Sequence, residues 1–409
     1  MFILPVGHLS PMMAQVTPRG LNQRLQPFTS TIFAEMTALA TKHGAVNLGQ
    51  GFPDTDGPQS MLDAATEAIR SGHNQYAPGP GLPVLRRAVA ADRANRYGLR
   101  HDSDTEVLVT VGATEAIAAA VLALVEPGEE VVMIEPYYDS YPAAVAMAGG
   151  VRRTVPLVAD GDRFALDLDV LRATIGPRTR MLLVNSPHNP TGTVLTATEL
   201  NAIAELACEH GLEVLTDEVY EHLVYDGGAH IPLATLPGMA ERTLSVSSAA
   251  KTFSATGWKT GWICGPAELV AAVRTAKQFL TFVGATPMQI AVAHALTHEQ
   301  PWIGVLRAGL QSKRDLLSAA LAEAGFAVRP SAATYFVCAD AAPLGANDAA
   351  SFCRELPTRV GVAAVPVSAF CDSPAAEAAP WRSLLRFAFC KRDEVLAEAA
   401  QRLLELSAG

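Results

Sequence analysis

Lys251 stands in the run Ser247–Lys259 (SSAAKTFSATGWK), which places two of the chain's six lysines among small and apolar residues. An ammonium there is short of hydration, so its neutral amine becomes more accessible and can condense with an aldehyde to form a Schiff base. The competing reading, a chance buried lysine, carries the expense of an unpaired buried charge. Upstream, Asp217-Glu218-Val219-Tyr220 sets a phenol three residues after a carboxylate. Asp217 can pair with a protonated ring nitrogen and make that ring an electron sink, or it can cap a helix while Tyr220 fills core. Downstream, Arg386 sits in the apolar run Leu384–Cys390 (LLRFAFC), where a guanidinium needs an anion. Its planar fork suits a substrate carboxylate, with a structural ion pair as the alternative.

Other motifs add binding chemistry. Gly112-Ala113-Thr114 precedes an alanine-rich stretch, so the free amides of a helix start can hold a phosphate there, or Thr114 can simply cap the helix. In Ser186–Gly192 (SPHNPTG) the prolines and glycine fix an irregular backbone that aims Asn189 at a ligand oxygen or leaves it bonded to its own turn. Lys259 reaches either a phosphate or solvent. A dinucleotide site is disfavoured, because no GxGxxG follows a strand and Gly79-Pro80-Gly81 lacks the third glycine. Lys251, Asp217 and Arg386 together suggest a pyridoxal phosphate enzyme.

Those residues need a frame that brings them together. Short β-branched runs alternate with Ala/Leu-rich stretches from Glu106 to Gly265. Strands are expected at Glu106–Val111, Glu130–Ile134, Met181–Asn185, Leu212–Thr216, Thr243–Ser247 and Trp262–Cys264, and helices at Thr114–Val125, Tyr141–Ala148 and Thr198–His210. The alternation predicts an α/β fold with a mainly parallel sheet sandwiched by helices, which binds ligands at the carboxyl ends of its strands. The motifs fall mostly at those ends. A helix over Pro266–Phe282 leads to a smaller α+β lobe, and Ser373–Pro380 reads as a surface loop. The division expected is residues 1–59 as an N-terminal arm and part of the small domain, 60–300 as the large domain and 301–409 as the small C-terminal domain.

Composition narrows the classes. With 409 residues, 49% hydrophobic and 18% charged, the chain can bury a sizeable core. A formal net charge of −10 argues against nucleic acid as a partner. The six cysteines show no CxxC spacing and read as reduced thiols, with no metal site expected. The first residues lack a charged lead and carry Pro5, so no signal peptide is read, and no stretch is long and charge-free enough to span a bilayer. The expected compartment is the cytoplasm.

Taken in order, Gly112-Ala113-Thr114, Ser186–Gly192, Asp217–Tyr220, Ser248–Lys251 and Arg386 resemble the class I aminotransferases of the fold-type I pyridoxal phosphate family, from about Phe28 to the C-terminus. Asn47–Asp54 (NLGQGFPD) is similar to the kynurenine/glutamine aminotransferase relatives. Gly112–Ile117 (GATEAI), Ser247–Lys251 (SSAAK), Gly361–Ala364, Ser368–Asp372 and Phe389–Asp393 are more similar to actinobacterial N-succinyldiaminopimelate aminotransferases.

The resemblance implies pyridoxal 5′-phosphate as cofactor, amino acid and 2-oxo acid substrates, and a homodimer with shared active sites. It makes Lys251 the Schiff-base lysine and proton carrier, with Asp217 at the ring nitrogen. Asn189 and Tyr220 would bond the ring hydroxyl, and Tyr138 would stack on the ring. Ala113, Thr114, Ser248 and Lys259 would hold the phosphate, joined by Tyr76 from the neighbouring subunit. Arg386 would grip the α-carboxylate with Asn189 and the Gly51 backbone. Thr114 and Gly284-Ala285 are smaller than the residues of kynurenine-type relatives, which leaves room for a longer substrate. The alternatives on the same scaffold are a kynurenine/glutamine-type aminotransferase and a cysteine-S-conjugate β-lyase. A ligand-sensing regulator would need a DNA-binding module that the acidic chain gives no sign of.

Overall fold

The structure is a computed structural model that describes residues 20–29, 31–372, 378 and 380–406. The expectation of a surface loop over Ser373–Pro380 falls mainly outside the described residues, and the reading of the first residues wholly so. In chain order a short β1 (Val46–Asn47) precedes β2 (Val107–Val111), β3 (Glu130–Glu135), β4 (Val151–Asp160), β5 (Arg163–Leu166), β6 (Thr179–Asn185), β7 (Glu213–Asp217), β8 (Thr243–Ser248) and β9 (Thr260–Cys264). Then come β10 (Ala327–Arg329), β11 (Phe336–Asp340), β12 (Val362–Ala363), β13 (Val365–Pro366) and β14 (Leu384–Ala388).

Eight strands form one sheet in the order β2-β9-β8-β7-β6-β3-β4-β5. Its centre is parallel, from β8 through β7, β6 and β3 to β4, while β9 and β5 run antiparallel to their neighbours. Both faces are buried, which the near-continuous apolar runs require. Met181, Leu183 and Leu215 point into one core with the helix Gly112–Leu124, and Leu182, Val184 and Val214 into the other with the helix Ala197–His210. That second helix starts at a capping box between Thr196 and Glu199 and stops at Gly211, in the left-handed region.

The antiparallel sheet β10-β11-β14-β13 carries the C-terminal core, to which Met36 and Leu48 from the chain's beginning also contribute. β1 and β12 pair in parallel as a separate two-stranded sheet. Among the described residues no helix is long and apolar enough to cross a membrane, and no cluster of His, Cys, Asp or Glu is arranged to hold a metal.

Two expectations change. The helix predicted over Pro266–Phe282 runs only over Ala267–Lys277, because the Lys277 amine turns inward to the carbonyls of Gly79 and Phe282 and the chain folds back over it. The hairpin of β4 and β5 was not expected, since Val151, Arg152 and Arg153 at its start are exposed and give no apolar alternation. The other predicted elements appear with ends shifted by one or two residues, and β9 is reversed relative to the parallel core.

Candidate active site

The parallel register puts the ends of neighbouring strands side by side. Asn185, the last residue of β6, pairs with Asp217 at the end of β7, and Asp217 in turn pairs with Val246 of β8. β8 then delivers Ser248 and, one helical turn on, Lys251. β9 runs the other way, so Lys259 just before it returns to the same end. Across this edge opens a cavity of about 340 Å³. Gly51, Ala113, Thr114, Tyr138, Asn189, Asp217, Tyr220, Ser248, Lys251, Lys259 and Arg386 all line it. Tyr76 does not: it is 83% exposed and lies edge-on to Phe282 outside the cavity.

Lys251 is half-buried in the cavity wall, and its amine meets the Tyr335 hydroxyl at 2.5 Å. Burial brings its pKa down to about 8, a shift that Arg386 and Lys259 assist and Cys390 and Asp217 oppose. Asp217 accepts a hydrogen bond from the Tyr141 hydroxyl at 2.6 Å and another from the Val219 amide at 3.2 Å. Burial pushes its carboxyl above the usual range, while those two donors and Lys251 pull it back. Tyr220 is buried, its ring set edge-on to Tyr335 at 5.1 Å.

The loop after β6 is anchored by Asn185, whose side chain donates to the carbonyls of Pro187 and Asp217 and accepts from the Asn189 amide. The Asn189 side chain is therefore not spent on its own turn. Its Oδ1 accepts from Arg386 Nη1 at 2.9 Å, and Arg386 Nη2 donates to the Gly49 carbonyl at 2.9 Å. The backbone partner of Arg386 is thus Gly49, while the Gly51 carbonyl accepts from Tyr335. Arg386 is 1% exposed and stacks over the Phe336 ring at 3.9 Å, yet its Nε has no hydrogen-bond partner and no carboxylate lies within ion-pair reach among the described residues. The structural ion pair weighed as the alternative is not found among the described residues.

At the other end, the helix Gly112–Leu124 starts without a side-chain cap, so its first amides face the cavity unpaired by the helix itself. Gly112 has φ +75°, and a Cβ there would stand 3.3 Å from the Lys259 amine. A Cβ on Gly261 would strike the Gly112 carbonyl carbon at 2.7 Å. Amides and one exposed cation converge there, a setting suited to a phosphate.

Sequence reasoning missed Tyr141, Asn185 and Tyr335. Tyr141 follows Tyr138 by three residues, just inside the helix Ser140–Ala148 that Tyr138 precedes, and Tyr335 is a phenol inside an apolar run that had to find a partner.

The profile of class I and II aminotransferases matches residues 43–403. The chain is 62% identical over 388 residues, 94% of this chain and 98% of the relative, to the probable N-succinyldiaminopimelate aminotransferase DapC of Mycobacterium tuberculosis. It is 38% identical to the methionine aminotransferase of Escherichia coli over 94% of this chain and 97% of that protein. Among solved structures, the N-succinyldiaminopimelate aminotransferase from Mycobacterium tuberculosis superposes with a TM-score of 0.92 at 61% identity, covering 95% of this chain and 100% of that one. With such agreement over nearly its whole length, the chain belongs to the class I and II aminotransferase family and has its fold-type I architecture.

Proposed function

We propose that this aminotransferase is a cytoplasmic, pyridoxal 5′-phosphate-dependent enzyme of diaminopimelate and lysine biosynthesis, transferring the amino group of glutamate to N-succinyl-2-amino-6-oxopimelate. The observation that carries the reaction class is a single cavity lined by a depressed-pKa lysine, a buried carboxylate and an arginine with no acid of its own. The succinylated substrate is carried by the 62% identity to the mycobacterial DapC.

The residues fit the cofactor. The uncapped helix start, the Gly112 cradle and Lys259 suit its phosphate, and the buried Asp217 carboxylate would suit a protonated ring nitrogen. When bound, the cofactor supplies an electrophilic aldehyde and a ring that takes up electron density from the substrate Cα. Lys251 would supply the amine that holds the aldehyde and the base that takes the proton from Cα. Asp217 would keep the ring nitrogen protonated and so favour the developing charge. Asn189 and Tyr220 would bond the ring hydroxyl, Tyr138 would stack on the ring, and Ser248 would join the phosphate. Arg386 fixes the α-carboxylate and aligns the Cα–H with Lys251. Tyr76, exposed beside Phe282, is assigned to the phosphate site of the second subunit of a homodimer.

Turnover of N-succinyl-LL-diaminopimelate with 2-oxoglutarate, set against kynurenine, methionine and a cysteine conjugate, tests the reading. A kcat/KM for the succinylated compound at least tenfold above the others is expected. Negligible turnover of it would remove the substrate assignment, and pyruvate from the conjugate would reveal a β-lyase.

A further inference from the structure

Lys251 has space on two sides. In front lies the cavity already described. Behind it, a chamber of about 100 Å³ is lined by Lys251, Tyr335, Ser254 and Cys390 among others. Tyr335 borders only the rear chamber, buried to 1% exposure and held edge-on between the rings of Tyr220 at 5.1 Å and Phe336 at 4.8 Å. It approaches the lysine from behind.

Its hydroxyl has one proton, and that proton is committed: the phenol donates to the Gly51 carbonyl at 2.5 Å. What remains for Lys251, at 2.5 Å, is an oxygen that can only accept. A neutral amine carries two N–H bonds and one lone pair. A donor at this position would bond the lone pair and blunt the nucleophile. An acceptor takes an N–H instead, and the lone pair is left to point away, towards the front cavity. We propose that Tyr335 is a positioning residue for Lys251, a phenol locked as acceptor by the Gly51 carbonyl so that the lysine lone pair faces the aldehyde and the substrate Cα.

The inference rests on Lys251 being the lysine that bonds the cofactor. It makes one further demand. An acceptor also stabilises the ammonium, so removing it must lower the lysine's proton affinity and not only its reactivity. The other charged or titratable groups around the amine are Asp217, Cys390, Arg386, Lys259 and Tyr220, with Lys313 in the rear chamber; of these Tyr220 also meets Tyr335, and both replacements in the test keep the ring that packs against it.

The test is the pH profile of condensation between the full-length chain, stripped of cofactor, and added pyridoxal 5′-phosphate. The reaction forms a C=N bond and releases one water. Borohydride then reduces the bond, and peptide mass mapping locates the label. For Tyr335→Phe, which keeps the ring, the midpoint should fall by about one pH unit from the wild-type value and the high-pH plateau rate by about tenfold. A lower plateau with an unmoved midpoint would mean a structural role only and overturn the inference, as would an unchanged profile. If Tyr335→Phe fails to fold, 3-fluorotyrosine at position 335 keeps the shape and weakens the acceptor. The midpoint should then move the same way by less, and an unmoved midpoint overturns the inference. Label on a peptide without Lys251 would instead sink the active-site assignment itself.

Discussion

Two arginines are buried to similar depth and treated in opposite ways. Arg93, on the helix Pro83–Tyr97, meets Glu218 at 2.8 Å and Glu221 at 3.2 Å. Burial works against its charge, but the two carboxylates outweigh that and hold its proton more tightly than usual. Arg386 has an amide oxygen, a carbonyl and aromatic faces for company, and burial lowers its proton affinity. Both stand next to site candidates: Arg93 through Glu218 and Glu221, which follow Asp217 and Tyr220, and Arg386 through Asn189. Although both keep guanidinium nitrogens without a partner, the difference separates a cation whose charge the fold neutralises from one left for an incoming anion.

Removing the unmet cation should do the larger damage. Arg386→Ala is expected to lower kcat/KM by about 10³-fold for monocarboxylic and dicarboxylic amino acids alike, because the carboxylate it serves is shared. Steady-state kinetics over both classes check this, and a loss confined to dicarboxylates would assign Arg386 to a side-chain carboxylate. Arg93→Met should reverse the balance. It strands two buried glutamates and is expected to cost about 3 to 5 kcal/mol in urea unfolding, while the folded fraction keeps kcat/KM within about tenfold. Equal loss of activity in both variants would erase the distinction.

Acid sharpens the same contrast. Burial alone would raise the Glu218 carboxyl, yet Arg93 and His230 hold it well below its ordinary 4.5. A carboxylate so depressed adds stability that is complete above about pH 4.5 and is lost as the pH falls below it. The wild-type chain should therefore lose stability progressively on acidification from pH 4.5. Arg93→Met should lose less over that interval, since protonation then relieves two stranded charges. Urea midpoints at stepped pH values show whether the slopes differ.

The parts of the site that were legible in the sequence are those whose chemistry conflicts with their surroundings. Lys251 and Arg386 are charges inside apolar runs, and the alternation of runs was enough to predict a parallel sheet whose strand ends collect Asp217, Asn189 and Ser248. Partners supplied from far along the chain were not legible. Tyr141 reaches Asp217 and Tyr335 reaches both Lys251 and Gly51 only after the sheets have formed, and a buried Tyr in an apolar run looks the same whether it packs or bonds. Arg93 gave no signal for a similar reason, because its helix reads as an ordinary amphipathic one and its two acids lie 125 and 128 residues away. The substrate beyond the α-carboxylate was reached through resemblance, since small residues such as Thr114 open space without specifying what fills it.

The smallest effect concerns a third cation, Lys259, which is exposed where Arg93 and Arg386 are buried. Its amine lies 3.3 Å from where a Cβ on Gly112 would stand, and Gly112 itself has φ +75°. Gly112→Ala meets only a flexible side-chain end, so Lys259 can give way. What remains is the left-handed backbone, at a cost of about 1 to 2 kcal/mol, and a nudge of the first helix amides away from their anion. The expected result is an affinity for pyridoxal 5′-phosphate weaker by about 5- to 30-fold, with kcat at saturating cofactor near wild type. Fluorescence titration with pyridoxal 5′-phosphate and with pyridoxal separates the causes. If the deficit belongs to the phosphate, it should vanish with pyridoxal; if it persists, the strain has spread to the ring site and the two ends of the cavity are not independent.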